Sequence, residues 1–573
     1  MKILGTDIKN KSILKTSFSK VKGAYLAIAI FSMFINILML TGPLYMLQIY
    51  DRVLLSSSFP TLIALSVLMM FMYIFVGLLE FCRARILSRI SSQLEEDLRE
   101  LTFFKWISAS AKNINTGGPA PLQDLTNLSR YVSGPAPGAF FDLPWVPIYI
   151  FVIFLLHWWL GVFAIISSII VVIIALFNEN LTRKKFEKSM TISRKEQTLG
   201  QQAIHNGDAV YAMGMTNSIY KIWEKLNISK LKIAQSGTDV QGASYAFILS
   251  LRAFLQSAIL GLGAALAIQQ IISAGAMIAA SIIFGRAIDP IQRAISHWRG
   301  FNEARMTFAK LETFYNRSPP IDKLYNIPIE QGDLIVDRLS AKAPNLSKLV
   351  LKNISFNLHT GEQLAVIGPS GSGKSTLARH LVGLTPPFAG SVSINGTKLE
   401  HYSNSELGKN IGYLPQIASL FPGTIAQNIC RFETDAKIED VIIAAKTAGL
   451  HEFINNLPNG YETNVDNGTN SFSGGEVRRI ALAQAFYKFP MLIVLDEPNS
   501  NLDAQGDQKL LEALKILRAH NCTVILITHK TEILPAFDTV MVLKDGLQKH
   551  YSSLDAFLEF INKNQKKIPI KNT

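Results

Sequence analysis

The sequence predicts a multidomain chain: an all-α bundle of six membrane-spanning helices, followed by an α/β domain built around a phosphate-binding loop. Three observations carry this. Apolar runs such as 24-AYLAIAIFSMFINILMLTG-42 and 160-LGVFAIISSIIVVIIALF-177 have the roughly 20 apolar residues needed to cross a ~30 Å hydrocarbon layer. These runs stop before Pro319-Pro320, a pair that cannot continue a helix. Beyond the pair, short apolar strands alternate with helical stretches, the pattern of an α/β fold, and one strand leads into G-x-x-x-x-G-K-S.

The 573 residues exceed what one core holds, since single domains rarely grow beyond about 250–300 residues. Hydrophobic residues make up 49% and charged ones only 17%, which places the apolar excess in a membrane. The net charge of +13 raises the possibility of nucleic acid. Membrane proteins, however, gather Lys and Arg in cytoplasmic segments, and here the basic residues collect between the apolar runs, so no nucleic-acid partner is expected. Cys82, Cys430 and Cys522 are far apart and lack metal-ligand spacing, as reduced cysteines of a cytoplasmic half would.

The first span is expected at about 24–47 and the second at 60–81, joined by 48-QIYDRVLLSSSF-59. Segment 82–143 is basic and should be cytoplasmic. The third and fourth spans fit within 144–178, turning at His157-Trp158-Trp159, because Trp favours the membrane interface. Segment 179–242 is again basic. The fifth and sixth spans occupy about 243–270 and 276–298, around the uncharged turn Ile272–Gly275. Lys2, Lys9, Lys11, Lys15, Lys20 and Lys22 place the N-terminus inside. The expected domains are a cytoplasmic N-terminus at 1–22, a transmembrane domain with two long cytoplasmic loops at 23–318, a linker at 319–332 and the α/β domain at 333–573.

In the α/β domain, 363-QLAVIGPSGSGKST-376 is an apolar strand running into a glycine-rich loop. Gly368, Pro369, Ser370, Gly371, Ser372, Gly373, Lys374, Ser375 and Thr376 form a loop whose backbone N–H groups, Pro369 excepted, can wrap phosphate oxygens, with the helix N-terminus adding positive potential. Lys374 would reach the β- and γ-phosphates of ATP, and the Ser375 hydroxyl would ligate Mg2+. In 491-MLIVLDEP-498, Asp496 is suited to hold Mg2+ and Glu497 to polarise an attacking water. In 471-SFSGGEVRRI-480, Ser473-Gly474-Gly475 opens a helix and could present donors to an anion. Each piece alone has a bland reading: a chance match, a buried strand meeting solvent, a glycine-rich helix start. Together, in this order, they do not.

The helix-opening segment resembles the signature motif of ATP-binding-cassette (ABC) proteins. Gln416 in 413-YLPQ-416 is similar to the Q-loop of that family, Ser500-Asn501-Leu502-Asp503 to its D-loop, and His529 in 525-ILITH-529 to its switch histidine. The resemblance implies a type I ABC exporter-like fold and a head-to-tail homodimer with each ATP between two cassettes. It implies that Glu497, His529 and Gln416 are catalytic, that Ser375, Gln416 and Asp496 serve Mg2+, and that Ser473, Gly474, Gly475 and Asp503 complete nucleotide binding. This sequence departs from the pattern at Phe472 for Leu, at Glu476 for Gln, and at Ala343, where many exporters stack an aromatic on adenine.

The membrane half carries its own resemblance. The segments 41-TGPLYMLQIYDRVL-54, 140-FFDLPWVPIYI-150, 211-YAMGM-215 and 276-AMIAASIIFGRAIDPI-291 look like those of type I secretion permease/ATPases. That family implies an inner-membrane exporter moving an unfolded protein with a C-terminal signal. Its partners would be a periplasmic membrane-fusion adaptor, an outer-membrane channel, the secreted client and membrane lipids. With about 22 residues before the first span, an N-terminal peptidase-like domain is not expected. Residues 122–132 and Gly207–Met215 are candidate coupling helices. The competing functions are a lipid or drug exporter, and a nucleotide-regulated scaffold that does not transport.

Charges in the last two spans have two readings, since one at mid-bilayer costs about 2.5–3.5 kcal/mol on insertion scales. Arg252 or Arg286 could line an aqueous passage suited to acidic clients. Alternatively, Arg286 and Asp289 form a structural pair one turn apart.

Overall fold

The computed structural model describes residues 13–112, 120–319, 328–342, 348–465, 472–499 and 504–565. Among these, 13–107 and 120–319 form one compact unit, and 108–112 and 328–565 the other.

The first unit is all helical. It begins with α1 (Ile13–Lys20), α2 (Lys22–Leu38), α3 (Thr41–Gln48), a π-helical turn at Ile49–Val53 and the short α4 (Leu54–Ser56). The long α5 (Phe59–Ala111) follows, then α6 (Pro121–Ser133), α7 (Pro135–Asp142) and α8 (Val146–Leu156). The remainder is α9 (Trp158–His205), α10 (Gly207–Ala212), α11 (Thr216–Ile268), α12 (Ala274–Ser296) and α13 (Trp298–Arg317). Among the described residues, five stretches are long and apolar enough to cross a membrane: Lys22–Ser56, Phe59–Ala111, Pro135–Leu156, Thr216–Ile268 and Ala274–Ser296. The apolar start of α9, Trp158–Ile174, is shorter than these but also apolar, and with the five it fits the six spans expected from the sequence.

Local chemistry sets the breaks. His157 leaves the helical region (φ −167°, ψ 142°) and its Nδ1 accepts the Trp159 N–H at 3.2 Å, capping α9. The segment after Gln48, expected as a loop, stays helical to Ser56, and the chain reverses only at Ser57, in the left-handed region at φ 49°. The reason is a tertiary cap. Asp51 Oδ1 accepts the Gly275 N–H at 2.9 Å and Asp51 Oδ2 accepts the Ser273 hydroxyl at 2.5 Å, satisfying the open N-terminus of α12. A Cβ on residue 275 would stand 2.5 Å from that carboxylate, so a larger residue would push Asp51 out of its cap.

The three long helices run far past their apolar stretches. Helices α9 and α11 are 48 and 53 residues long and are stitched together beyond the membrane segment. Lys185 Nζ donates to Ser236 Oγ at 2.8 Å, and Glu196 accepts from Asn227 at 2.9 Å and Lys230 at 2.7 Å. In α12 the small residues Ala276, Ala279, Ala280 and Ala287 are buried, letting neighbouring helices approach closely.

A row of alternating charges crosses the unit. Arg83 donates to Glu80 at 2.7 Å and to Asp142 at 2.8 Å. Asp142 also faces Arg293 at 3.7 Å, Arg293 pairs with Asp289, and Asp289 accepts from Arg252 at 3.0 Å. The Arg286–Asp289 pair, one of the two readings open from the sequence, does not form. Asp289 is taken by Arg252, on the adjacent α11, and by Arg293, one turn on at i+4. Arg252 is fixed further by Gln292 and the Gly285 carbonyl. Arg286, half-buried, has no hydrogen-bond or ion-pair partner among the described residues.

The second unit is α/β. An antiparallel sheet, in the order β2-β1-β4-β5, is formed by β1 (Leu334–Lys342), β2 (Leu349–Leu358), β4 (Ala389–Ile394) and β5 (Thr397–Lys398). The main sheet has the order β12-β11-β3-β10-β9-β6. Its strands are β3 (Gln363–Ile367), β6 (Ile411–Leu414), β9 (Leu492–Asp496), β10 (Thr523–Ile527), β11 (Thr539–Lys544) and β12 (Leu547–Ser553), all parallel except the β11–β12 hairpin. Strands β9 and β10 are buried at every residue, as parallel strands covered on both faces must be. Helix α14 (Lys374–Leu381) follows β3, and α19 (Gly474–Phe486) precedes β9.

Candidate functional site

The site lies at the C-terminal edge of β3, β9 and β10, where parallel α/β sheets place ligands. Register puts Val366 beside Ile527 and Ile527 beside Asp496, so the loops leaving the three strands converge. The glycine-rich loop is held open by conformations that other residues resist. Gly373 sits at φ 101°, and a Cβ on Gly368 would lie 2.0 Å from the Leu543 carbonyl oxygen. Lys374 Nζ folds over this loop, donating to the Gly368 and Pro369 carbonyls at 2.8 and 3.0 Å. Burial lowers its pKa, opposed by the nearby Glu497 and Asp496 carboxylates.

Asp496 ends β9 almost fully buried. Burial raises its pKa, and a hydrogen bond from the Ser375 hydroxyl works against that rise. Its Oδ1 is buried and has no partner among the described residues. An orphaned carboxylate oxygen beside a serine hydroxyl is the oxygen-only donor set that a hard divalent cation takes, so the residues fit Mg2+.

Glu497 follows in the left-handed region at φ 53°, fixed by its N–H on the Ile527 carbonyl at 2.9 Å. Its Oε1 meets His529 Nε2 at 2.8 Å and its Oε2 accepts from Gln416 Nε2 at 3.4 Å. Three residues singled out far apart in sequence thus meet at one carboxylate. Sequence reasoning missed a fourth. The buried Arg478, four residues into α19, donates to the carbonyls of Asp496 (3.1 Å), Glu497 and Gln416 (3.3 Å). It ties the strand end, the Gln416 loop and α19 together. The charge within 471-SFSGGEVRRI-480 was visible, but nothing local shows which arginine turns inward.

Ser473 caps α19, its hydroxyl accepting the Glu476 N–H at 3.3 Å while Glu476 Oε2 accepts the Ser473 N–H at 2.7 Å. The departure at Glu476 is thereby a capping box, with its carboxylate turned onto its own helix. Ser473 and Gly474 are exposed. Ser500, Asn501, Leu502, Asp503 and Ala343 lie outside the described residues.

Comparison with known proteins agrees with this architecture. Residues 351–500 match the family described as ABC transporter, and residues 25–289 match the ABC transporter transmembrane region. The chain is 37% identical over 538 residues to the type I secretion system ATP-binding protein PrsD of Rhizobium meliloti (strain 1021), covering 94% of this chain and 92% of that protein. It is 26% identical to the leukotoxin export ATP-binding protein LtxB of Aggregatibacter actinomycetemcomitans and 25% to the exotoxin translocation ATP-binding protein PaxB of Pasteurella aerogenes. Each of these matches covers 92% of this chain and 75% of the relative. The structure of a bacterial Atm1-family ABC exporter with ATP bound shares the fold, with a TM-score of 0.81, 19% identity, and coverage of 98% of this chain and 100% of that one.

An α/β cassette with this loop, joined to six apolar helices, defines an ATPase coupled to transmembrane transport, embedded in the inner membrane with its cassette in the cytoplasm. Within that class the chain belongs to the type I secretion ABC transporters.

Proposed function

We propose that two copies of this chain form the ATP-driven pump of a type I secretion conduit. The pump carries an unfolded protein with an uncleaved C-terminal signal out of the cytoplasm. A periplasmic adaptor and an outer-membrane channel complete the path. Support comes from similarity along almost the whole length to a type I secretion protein, and from relatives whose names specify toxin export.

The observation carrying the catalytic reading is the Glu497 carboxylate held by His529 and Gln416 beside Lys374. Backbone N–H groups of the loop from Gly368 to Thr376, with Lys374, bind the triphosphate. Ser375, Asp496 and Gln416 would hold Mg2+, which would supply charge neutralisation when bound. Glu497 orients water, and His529 holds Glu497 in place. The Ser473-Gly474-Gly475 segment of one copy, with Ser473 and Gly474 exposed, together with Asp503, closes the site of the other. Ala343 leaves adenine without a stacking partner at that position.

The test is ATP turnover by the purified protein with added C-terminal fragments of a secreted protein, against added lipids or amphiphiles. The secretion reading expects the fragment to change turnover, and Glu497→Gln to lower it at least about tenfold while ATP still binds. Stimulation by amphiphiles alone would favour a lipid or drug exporter instead.

A further inference from the structure

A cavity of about 380 Å3 lies between α9, α12 and α13, inside the helical unit. Its size is that of a small-molecule pocket. Its deep wall is apolar, formed by Val172 and Leu176 of α9 with Ile291 and Ile295 of α12. These positions end the membrane-spanning stretches, and the basic run of α9 begins at Arg183. The cavity therefore straddles the boundary between hydrocarbon and cytoplasm. Its wall also continues onto an exposed apolar surface. Leu176 is 53% exposed, beside Ile173 and Phe177, which are also well exposed.

The polar lining is mostly self-satisfied. Arg183 pairs with Glu187 at 3.0 Å. Arg299 pairs with Glu303 at 3.0 Å and lies over the Phe186 ring at 4.7 Å. The Trp298 Nε1–H is not satisfied: it is buried and has no acceptor among the described residues. Such a donor costs free energy unless something fills the cavity and accepts from it. Two lining charges, Arg305 and Glu179, also have no ion-pair partner among the described residues.

We infer that this cavity binds a glycerophospholipid of the cytoplasmic leaflet, with a zwitterionic headgroup. The acyl chain lies on the Val172–Leu176 and Ile291–Ile295 wall, an ester or phosphate oxygen accepts the Trp298 N–H, and Arg305 attracts the phosphodiester. Pockets with basic residues between helices on the cytoplasmic side suit lipid phosphates. Glu179 on the same lining opposes a second negative charge, which selects a zwitterionic headgroup over a strongly anionic one. The inference needs only that the helices cross a membrane and is independent of what the pump exports.

The full-length protein in lipid nanodiscs would be irradiated with a phosphatidylethanolamine bearing a diazirine on its acyl chain, and the labelled peptides mapped. Label is expected on 172–190 and 291–309, and also on the exposed face of α5 around Phe71 and Ile74, an internal control for folding. Ala294→Trp, which fills the cavity from α12, should cut the cavity label at least about fivefold and leave the α5 label unchanged. Trp298→Phe keeps the ring but loses the donor and should cut the cavity label about two- to tenfold, the range of one hydrogen bond. It decides the matter if Ala294→Trp disturbs the control. Excess unlabelled phosphatidylethanolamine should compete, and glycerophosphoethanolamine alone should not. Cavity labelling that survives Trp298→Phe at full strength would overturn the proposal. So would displacement by the bare headgroup or by a client C-terminal peptide, each of which would assign the cavity to a soluble ligand.

Discussion

Arg83 Nη1 donates to Asp142 Oδ1 at 2.8 Å with both side chains less than a tenth exposed. This pair gives a physical role to the aspartate of 140-FFDLPWVPIYI-150: Asp142 joins α5 to the α7–α8 elbow and, through Asn36 at 3.1 Å, to α2. Removing one partner of a buried pair costs about 3–5 kcal/mol where the other charge is stranded; Arg83 keeps Glu80 at 2.7 Å, so the cost here should lie at or below the low end of that range. Asp142→Ala should therefore lower the thermal midpoint. The apolar double change Arg83→Met with Asp142→Leu should recover most of the loss. Thermal unfolding of the three variants in one detergent checks this.

Arg478 holds three carbonyls around the Glu497 carboxylate and makes no hydrogen bond to the phosphate loop among the described residues. Hydrogen bonds from a charged donor are each worth about 1.5–3 kcal/mol. Arg478→Met should thus cut ATP turnover by about ten- to a hundredfold while changing nucleotide affinity much less. Equal losses in both would assign Arg478 to binding.

Asp496 yields a prediction of the opposite sign for stability. Its pKa is raised in the folded cassette by burial, so the ionised form is disfavoured there. Above the folded pKa, both folded and unfolded chains carry the charge and the folded state bears the penalty. Below the unfolded value, about 3.9, neither is charged and the penalty vanishes. Asp496→Asn should therefore raise the unfolding midpoint of the nucleotide-free protein by a few degrees at neutral pH. That advantage should shrink as pH falls towards 4. Mg2+-dependent hydrolysis should be lost at every pH. Differential scanning fluorimetry across pH, without nucleotide, reads the first effect.

The membrane arginines separate by their partners. Arg252 is tied to Asp289, Gln292 and Gly285, whereas Arg286 has no such tie among the described residues. Arg252→Ala should lower stability whatever the client. Arg286→Gln should leave stability near wild type and slow export of an acidic client more than that of a neutralised one, since a guanidinium attracts carboxylates without shape selection. Equal slowing of both clients would remove Arg286 from the passage.

How much of this could be read from sequence depends on how far apart the interacting groups are along the chain. The phosphate loop and the Asp496-Glu497 strand end are contiguous, and their chemistry is written in neighbouring residues. The spans are legible because a hydrocarbon layer demands a run of apolar residues. The Arg252–Asp289 pair joins residues 37 apart, and Arg83–Asp142 residues 59 apart. The rule of i, i+3 neighbours favoured Arg286 for Asp289, but the packing of α11 against α12 supplied a closer cation. The Asp51 cap on Gly275 spans 224 residues and keeps helical a segment whose serines and short length read as a loop. Glu476 reads in sequence only as a departure from the signature pattern, and its capping box with Ser473 shows in the structure.

The stitching of α9 to α11 makes the pair behave as a stiff beam rather than two flexible strands. Residues 178–205 of α9 lie beyond its apolar stretch, which at 1.5 Å per residue is roughly 40 Å of overhang. A tilt of about 10° in the bilayer would then carry the α10 end through roughly 7 Å, more than one helical turn. Stroke scales with overhang. Deleting two turns from each helix, in register, would shorten the throw by about a quarter without touching a spanning residue or a nucleotide ligand. The length of these helices is thus a mechanical gear ratio, set by counting residues rather than by any single contact.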